Sequence, residues 1–589
     1  MFQSFDAPTN PADGPPRLDA LRQAMASAQV EAFLVPRADA HQGEYVADCD
    51  ARLAWLTGFT GSAGQCVVTA DKAALFVDGR YPLQARAQTA EVFDVVLWSD
   101  QTEAAWLAGA LPKGARVAYD PWLHTANQIE TLAKKLSAGG IELRPTPNLI
   151  DQVWTDRPAR PEGKVIAYPK ALAGKGDISK RREIAENLRD AGHAACVLTL
   201  PDSICWLLNI RGADIPRNPI VQAFAIVHAK DGRVDLISTP SKFADLGPDP
   251  DITMHHWDDL EEVIKGLSGA VRIDKNSAPI ALKSLLQQPV FGDDPCILPK
   301  ACKTDAEITA TRAAHMRDAA AMVEFLAWLD AADTASLTEI DVVKALEGFR
   351  QDTGALRDIS FDTICGSGPN GAIVHYRVTE QTNRSLDRDS LLLVDSGGQY
   401  LDGTTDITRT VALGTPNDDM KRCFTAVLRG MIAISQAKFP KGCAGRDLDA
   451  LARQHLWAQG LDYGHGTGHG VGVYLCVHEG PQRISRMSEQ PLKPGMILSN
   501  EPGYYREGAF GIRIENLIVV REARDTQTPM YDFETLTWVP IDPRLIDVDA
   551  LSADERAWIN SYHAEIAAKL DGALSPGAAA WLARTVTPL

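Results

Sequence analysis

No two of the ten cysteines are spaced as CxxC; they lie scattered at positions 49, 66, 196, 205, 296, 302, 365, 423, 443 and 476. That scatter suggests neither a zinc knuckle nor a disulfide framework, and the thiols read as reduced and packed. No apolar run approaches the ~18 residues that a membrane span needs. The opening MFQSFDAPTNPADGPPRL has neither the basic nor the apolar stretch of a secretory leader. Basic charge is not in excess either: 59 Lys plus Arg against 77 Asp plus Glu give −18, which repels polyphosphate and anionic lipid. Together these absences point to a soluble cytoplasmic protein with no nucleic-acid and no membrane partner.

What is present is ordinary globular composition, 45% hydrophobic and 23% charged, in a chain of 589 residues. At ~100 to 200 residues per domain that length predicts three to four domains. Residues 1–155 alternate helix-like and strand-like segments, among them QCVVTA and AALFVDG, and read as an α/β domain. The stretch WTDRPARPEGKVIAYP is a linker by its prolines and charges. A second α/β domain, 156–302, echoes the first in its order of strand, polar link, Trp-Leu, Gly turn and strand, with Trp55-Leu56 matching Trp206-Leu207. From Thr304 a Thr-x-x-Glu start predicts a long helix opening an α+β domain over 303–535. Ser552-Ala553-Asp554-Glu555 is a second capping box, inside a C-terminal extension over 536–589.

The polar oddities gather in the third domain. In SLLLVDSGGQYLDGTTDITRT, a hairpin centred between Tyr400 and Leu401 sets Asp395 directly opposite Asp406 on one face. Like charges so placed repel unless a cation lies between them. Asp402 suits a surface turn better. In MILSNEPGYYREGAFGIRIENLIVV, Glu501 and Glu515 are symmetric about Gly508 and face one another in the same manner. Four carboxylates balance two divalent cations; without metal the site would force protons onto the acids. One imidazole among mostly oxygen donors suits Mn²⁺, with Co²⁺ or Zn²⁺ as alternatives, better than Ca²⁺.

The imidazole comes from GHGTGHG, residues 464–470. His465 and His469 would share one face of a helix, but each of the four glycines weakens a helix by roughly 1 kcal/mol relative to Ala, which rejects a helical zinc pair. A phosphate loop also fails, because no Lys-Ser/Thr follows. Glycines here suit close approach of backbone to a ligand. Gly366–Gly371 does have GxGxxG spacing, but it contains Pro369 and leads into β-like AIVHY, so it reads as a turn. Spacing alone does not choose between the two histidines.

Taken together, NGAIVHYRV, VDSGGQYLDGTTDITRT, GHGTGHGVG with VHEGP, SNEPGYY and GIRIEN closely resemble aminopeptidase P, the Xaa-Pro aminopeptidases of the pita-bread metallopeptidases. The resemblance runs along almost the whole chain. It implies two creatinase-like N-terminal domains, a pita-bread catalytic domain and the C-terminal extension of three-domain members. It further implies that Asp395, Asp406, His469, Glu501 and Glu515 hold two divalent metals, with Asp406 and Glu515 bridging, and that His465 is a nearby active-site group. By the same resemblance His375, His478 and Arg80 contact substrate. Arg513, on the same side of its strand as Glu515, is expected to pair with a carboxylate and is counted with the substrate-binding residues. The implied activity is hydrolysis of the bond before a proline in second position, with prolidase as the alternative and a non-catalytic binding module as a remoter one. The family is commonly dimeric, so a homodimer is expected.

Overall fold

Three apolar runs, Ala32–Pro36, Gly64–Thr69 and Ala73–Val77, form strands whose residues are almost all buried. Such continuous burial marks strands covered on both faces. The computed structural model describes residues 1–7 and 9–589, in two units.

One unit takes in residues 9–170 and Lys175–Lys300. It holds two six-stranded sheets of one design. In the first, the strands run in the order 94–97, 73–77, 64–69, 32–36, 116–119, 142–145; in the second, 252–256, 234–238, 224–228, 195–198, 271–273, 289–291. Each has two antiparallel pairings at its centre and parallel pairings on either side. The echo in sequence is therefore an echo in topology. Trp55-Leu56 and Trp206-Leu207 lie on matching helices, Arg52–Thr57 and Pro201–Leu208, with both leucines fully buried.

The other unit comprises Met1–Ala7, Ala171–Gly174 and Ala301–Leu589. Its 27-residue helix Asp305–Ala331 begins at the expected capping box: Glu307 N donates to Thr304 Oγ1 at 3.2 Å, and Thr304 N to the Glu307 carboxylate at 2.8 Å. Leu391–Ser396 pairs with Ile364–Ser367 and Ile407–Ala412 in one sheet. A six-stranded sheet runs in the order 439–440, 530–535, 516–522, 497–500, 468–470, 479–484. The expected β-like AIVHY is not a strand: a 3-10 turn Gly368–Ala372 leads into irregular chain. The reason is Glu339, a buried carboxylate that takes Asn370 Nδ2 and Tyr376 Oη, folding the segment back on itself.

The C-terminal helices Ala553–Lys569 and Pro576–Thr585 pack on the same core. Their tie to the centre is Arg409, 2% exposed. It donates to the carbonyls of Glu515 (2.6 Å) and Val539 (2.7 Å) and to Tyr562 Oη (3.0 Å). Among the described residues no helix is long and apolar enough to cross a membrane.

Candidate metal centre

The first carboxylate hairpin turns at Leu401-Asp402, since Gln399 pairs with Thr404 and Tyr400 with Gly403. This corrects the expected centre between Tyr400 and Leu401: Asp395 lies opposite Thr408, not Asp406. The cause is Tyr400, whose ring is fully buried and whose hydroxyl donates to Asp318 at 2.7 Å. A tyrosine so anchored stays in the strand, and the turn moves one residue on. Asp402 is left in the turn, held by Arg317 at 2.9 Å. Pairing changes by two residues, an even number, so Asp395 and Asp406 keep to one face.

The second hairpin has the expected register. Ile497–Asn500 pairs with Asn516–Val519, and Gly503–Arg506 with Phe510–Arg513, both symmetric about Gly508, so Glu501 and Glu515 stand opposite one another. Between these ladders the strands part. Glu501 N donates to Thr467 O at 2.8 Å and Glu515 N to Thr408 O at 3.1 Å. One carboxylate is thereby tied to the glycine-histidine strand and the other to the first hairpin. Thr408 Oγ1 adds a hydrogen bond to Glu515 Oε2 at 2.8 Å.

The glycines of GHGTGHG serve close approach. A Cβ on Gly468 would sit 1.9 Å from Ser499 O, and one on Gly470 2.5 Å from Glu479 O. His469 therefore lies flush against the neighbouring strands, its N–H donating to Ser499 Oγ at 2.9 Å and its Nδ1 bonded to Gly470 O at 3.0 Å. With Nδ1 as donor, Nε2 is left as the ligand atom. Nε2 stands 3.5 Å from Asp406 and 3.6 Å from Glu501. Donor atoms of Asp406, His469 and Glu515 lie within 4.8 Å of one another.

Burial and mutual repulsion set the electrostatics. Burial first, then Asp406, drives the Asp395 carboxyl up to about 7 against the pull of Arg513. Glu515 is pushed far above the carboxylate range by burial and by Asp406, Asp395 and Glu501. Burial also raises Glu501. Burial alone would lower His469, but the Asp406 hydrogen bond and the Glu501 charge lift it to about 9. Asp395 Oδ1 and Glu515 Oε1 are buried without a hydrogen-bond partner in the protein. Four crowded acids, two orphaned oxygens and one oriented imidazole form a donor set that fits divalent cations and that protons serve poorly.

Around the donors, Arg513 is the hub. It donates to Asp395 Oδ2 at 2.5 Å, to Tyr505 Oη at 2.6 Å and to Val374 O at 3.4 Å, beside His375. The Tyr505 hydroxyl in turn meets His465 Nε2 at 2.8 Å. His465 thus touches Tyr505 and joins the Asp395 side through Arg513. Its own carbonyl accepts from Arg453 at 2.6 Å, which pins the loop. The His478 ring packs edge-on against that of His469 at 4.3 Å. Arg80 lies in the other unit, where Asp78 grips its guanidinium at 2.7 Å. Tyr505, Thr408 and Ser499 were not singled out from the sequence; only Tyr505 had a signal there, two residues before the Glu507-Gly508-Ala509 turn, on the strand paired with that of Arg513.

The model of metallopeptidase family M24 matches residues 309–522, creatinase/prolidase N-terminal domain models match 17–153 and 156–307, and the C-terminal region of peptidase M24 matches 529–589. Aminopeptidase P2 of Arabidopsis thaliana is 40% identical over 95% of this chain and 86% of its own. The crystal structure of the X-prolyl aminopeptidase of Caenorhabditis elegans, described as a cytosolic enzyme with a dinuclear active site, matches with a TM-score of 0.93. It is 32% identical, over 98% of this chain and all of that one. The prolidase of Pyrococcus horikoshii shares the fold alone, at 23% identity over 62% of this chain, with a TM-score of 0.51. The chain belongs to the Xaa-Pro aminopeptidase P group of metallopeptidase family M24.

Proposed function

We propose that the chain is a metal-dependent aminopeptidase that hydrolyses the bond between an N-terminal residue and a following proline in Xaa-Pro-peptides. The observation that carries this is the convergence of Asp395, Asp406, His469, Glu501 and Glu515 from two hairpins and one glycine-flanked strand. All five donors are present, which speaks against a non-catalytic binding module. A prolidase is not favoured, because the relatives matching along nearly the whole chain are aminopeptidases, while the prolidase fold covers 62% of it.

In this reading Asp395, Asp406, His469, Glu501 and Glu515 would together hold the two cations, with Asp406 and Glu515 as the shared donors that the family resemblance implies. Bound there, divalent cations supply a water of lowered pKa and polarise the scissile carbonyl. Glu501 accepts the proton of the attacking water and returns it to the departing proline nitrogen. His375 and His478 hydrogen-bond the carbonyl oxygen as it gains charge. Arg513 holds Asp395, and Tyr505 holds His465. Arg80 belongs to the substrate-binding set on the strength of its DGRY motif.

The preponderance of carboxylate oxygens favours Mn²⁺ over Co²⁺ or Zn²⁺. A cytoplasmic homodimer completes the proposal; the cytosolic C. elegans neighbour supports the first term and the family resemblance the second. Sedimentation at the mass of one chain would overturn the dimer. The activity is tested with Xaa-Pro-Yaa and Xaa-Pro substrates side by side. Cleavage of the tripeptide is expected, and activity confined to the dipeptide would establish a prolidase instead.

A further inference from the structure

We propose that the buried Lys303–Glu479 ion pair positions His478, making both residues positioning groups for the hydrolysis proposed above, on which the inference rests. The two side chains are 1% and 0% exposed and are hydrogen-bonded to each other. Burying two ions costs several kcal/mol each, and an apolar pair of similar volume would hold a fold equally well. Stability alone therefore does not account for charge at this place.

Both ends of the pair are anchored. Lys303 immediately precedes the Thr304 cap of helix Asp305–Ala331, and its N–H donates to Gly495 O at 3.0 Å. Gly495 has φ +88, and a Cβ there would lie 2.7 Å from Lys303 O, so the approach needs glycine. Glu479 opens strand Glu479–Ile484 and pairs with Gly470, next to His469. Its carboxylate packs by Gly472, where a Cβ would stand 3.3 Å from Oε2.

His478 is the residue before Glu479. It stands at the bend that enters the strand, one peptide from Glu479. With Glu479 drawn inward to Lys303, the imidazole of His478 is presented to the metal side, where its ring lies 4.3 Å from that of His469. The other end of the segment is held by Gln399 Nε2, which donates to Leu475 O at 2.8 Å. His478 is therefore carried on a short span fixed at Leu475 by the first hairpin and at Glu479 by Lys303. In this proposal the pair acts through His478.

The test uses the full-length Mn²⁺-loaded protein and an Xaa-Pro-Yaa peptide. Lys303→Met and Glu479→Gln are each expected to lower kcat by roughly 10- to 100-fold, the cost of a misplaced catalytic group, with KM and metal content little changed. In a His478→Gln background the same Lys303→Met change is expected to cost less than about twofold, because groups acting as one unit are not additive. An equal loss in both backgrounds, or no loss in wild type, overturns the proposal. If Lys303→Met does not fold, Lys303→Met with Glu479→Met, an apolar replacement of the whole pair, serves in its place. A second reading needs no turnover: in metal-free protein labelled at histidine Cε1, the signal lost in His478→Gln should shift in Lys303→Met while that of His563 stays. An unmoved His478 signal refutes positioning, whereas a wild type that is inactive on the peptide refutes the function and leaves this reading standing.

Discussion

In the hairpin Leu391–Ala412 the two carboxylates sit diagonally, Asp395 within a ladder and Asp406 in the short gap between the pairs Ser396 with Ile407 and Gln399 with Thr404, around a two-residue turn. In the hairpin Ile497–Val519 they sit directly opposite, at a point where the ladder opens and both backbones bond to other strands. Asp395 is steadied by a cation of the protein itself, Arg513, whereas Glu515 receives only a threonine hydroxyl. The contrast shows that a shared face is what brings acids together; direct opposition is one way to reach it. It also predicts that the carboxylate with least help from the protein depends most on metal.

Glu515→Gln gives the sharpest break between the hairpins. It should lose bound metal and bring turnover to background, with Asp406→Asn behaving alike; elemental analysis of both variants decides this. Glu501→Gln, assayed at saturating Mn²⁺ to restore its metal, should keep the fold but lower kcat by roughly 10²- to 10⁴-fold, the usual weight of a proton-transferring group. Near-normal turnover in that variant would sink the shuttle role. Arg513→Lys and Tyr505→Phe, which loosen the Asp395 side, should cost about 10- to 100-fold in metal affinity or activity.

A smaller effect comes from pH. In the metal-free chain Asp395 is raised from 3.8 to about 7, chiefly by burial. A carboxyl shifted that way contributes stability that is full below about pH 4 and lost as pH rises through 7. His469 is raised to about 9, so its contribution is full below its ordinary 6.5 and lost as pH rises through 9. The Tm gap between Mn²⁺-loaded and chelator-treated protein should therefore widen from pH 5 to 9. A gap that narrows would contradict the proton load assigned to the site. Smallest of all, Asp402→Asn breaks only a half-exposed turn contact to Arg317. It should change stability by about 1 kcal/mol or less and leave activity intact.

Much of this centre was legible in the sequence because hairpin symmetry is arithmetic. Glu501 and Glu515 could be paired about Gly508 with no structure, as Gly508 does occupy the turn. The first hairpin was misplaced by one residue because the partner that holds Tyr400, Asp318, lies on a helix far away in sequence. The same limit hid Glu339, which folds the segment around His375 and defeats its strand-like pattern. Local pattern showed which residues carry charge and which face they share. The contacts that fix a turn or orient a ring come from remote elements, as with Thr408 on Glu515, Ser499 on His469 and Lys303 on Glu479. The duplicated N-terminal sheets were readable from Trp55-Leu56 and Trp206-Leu207 because both dipeptides fill the same place in the same topology.

The most direct test is a titration of Mn²⁺ into metal-free protein, with bound metal and Xaa-Pro-Yaa cleavage followed together. The account predicts two ions bound per chain, turnover rising with them, and both lost in Glu515→Gln. Full cleavage by the metal-free chain, or two ions still bound and active in Glu515→Gln, would contradict it.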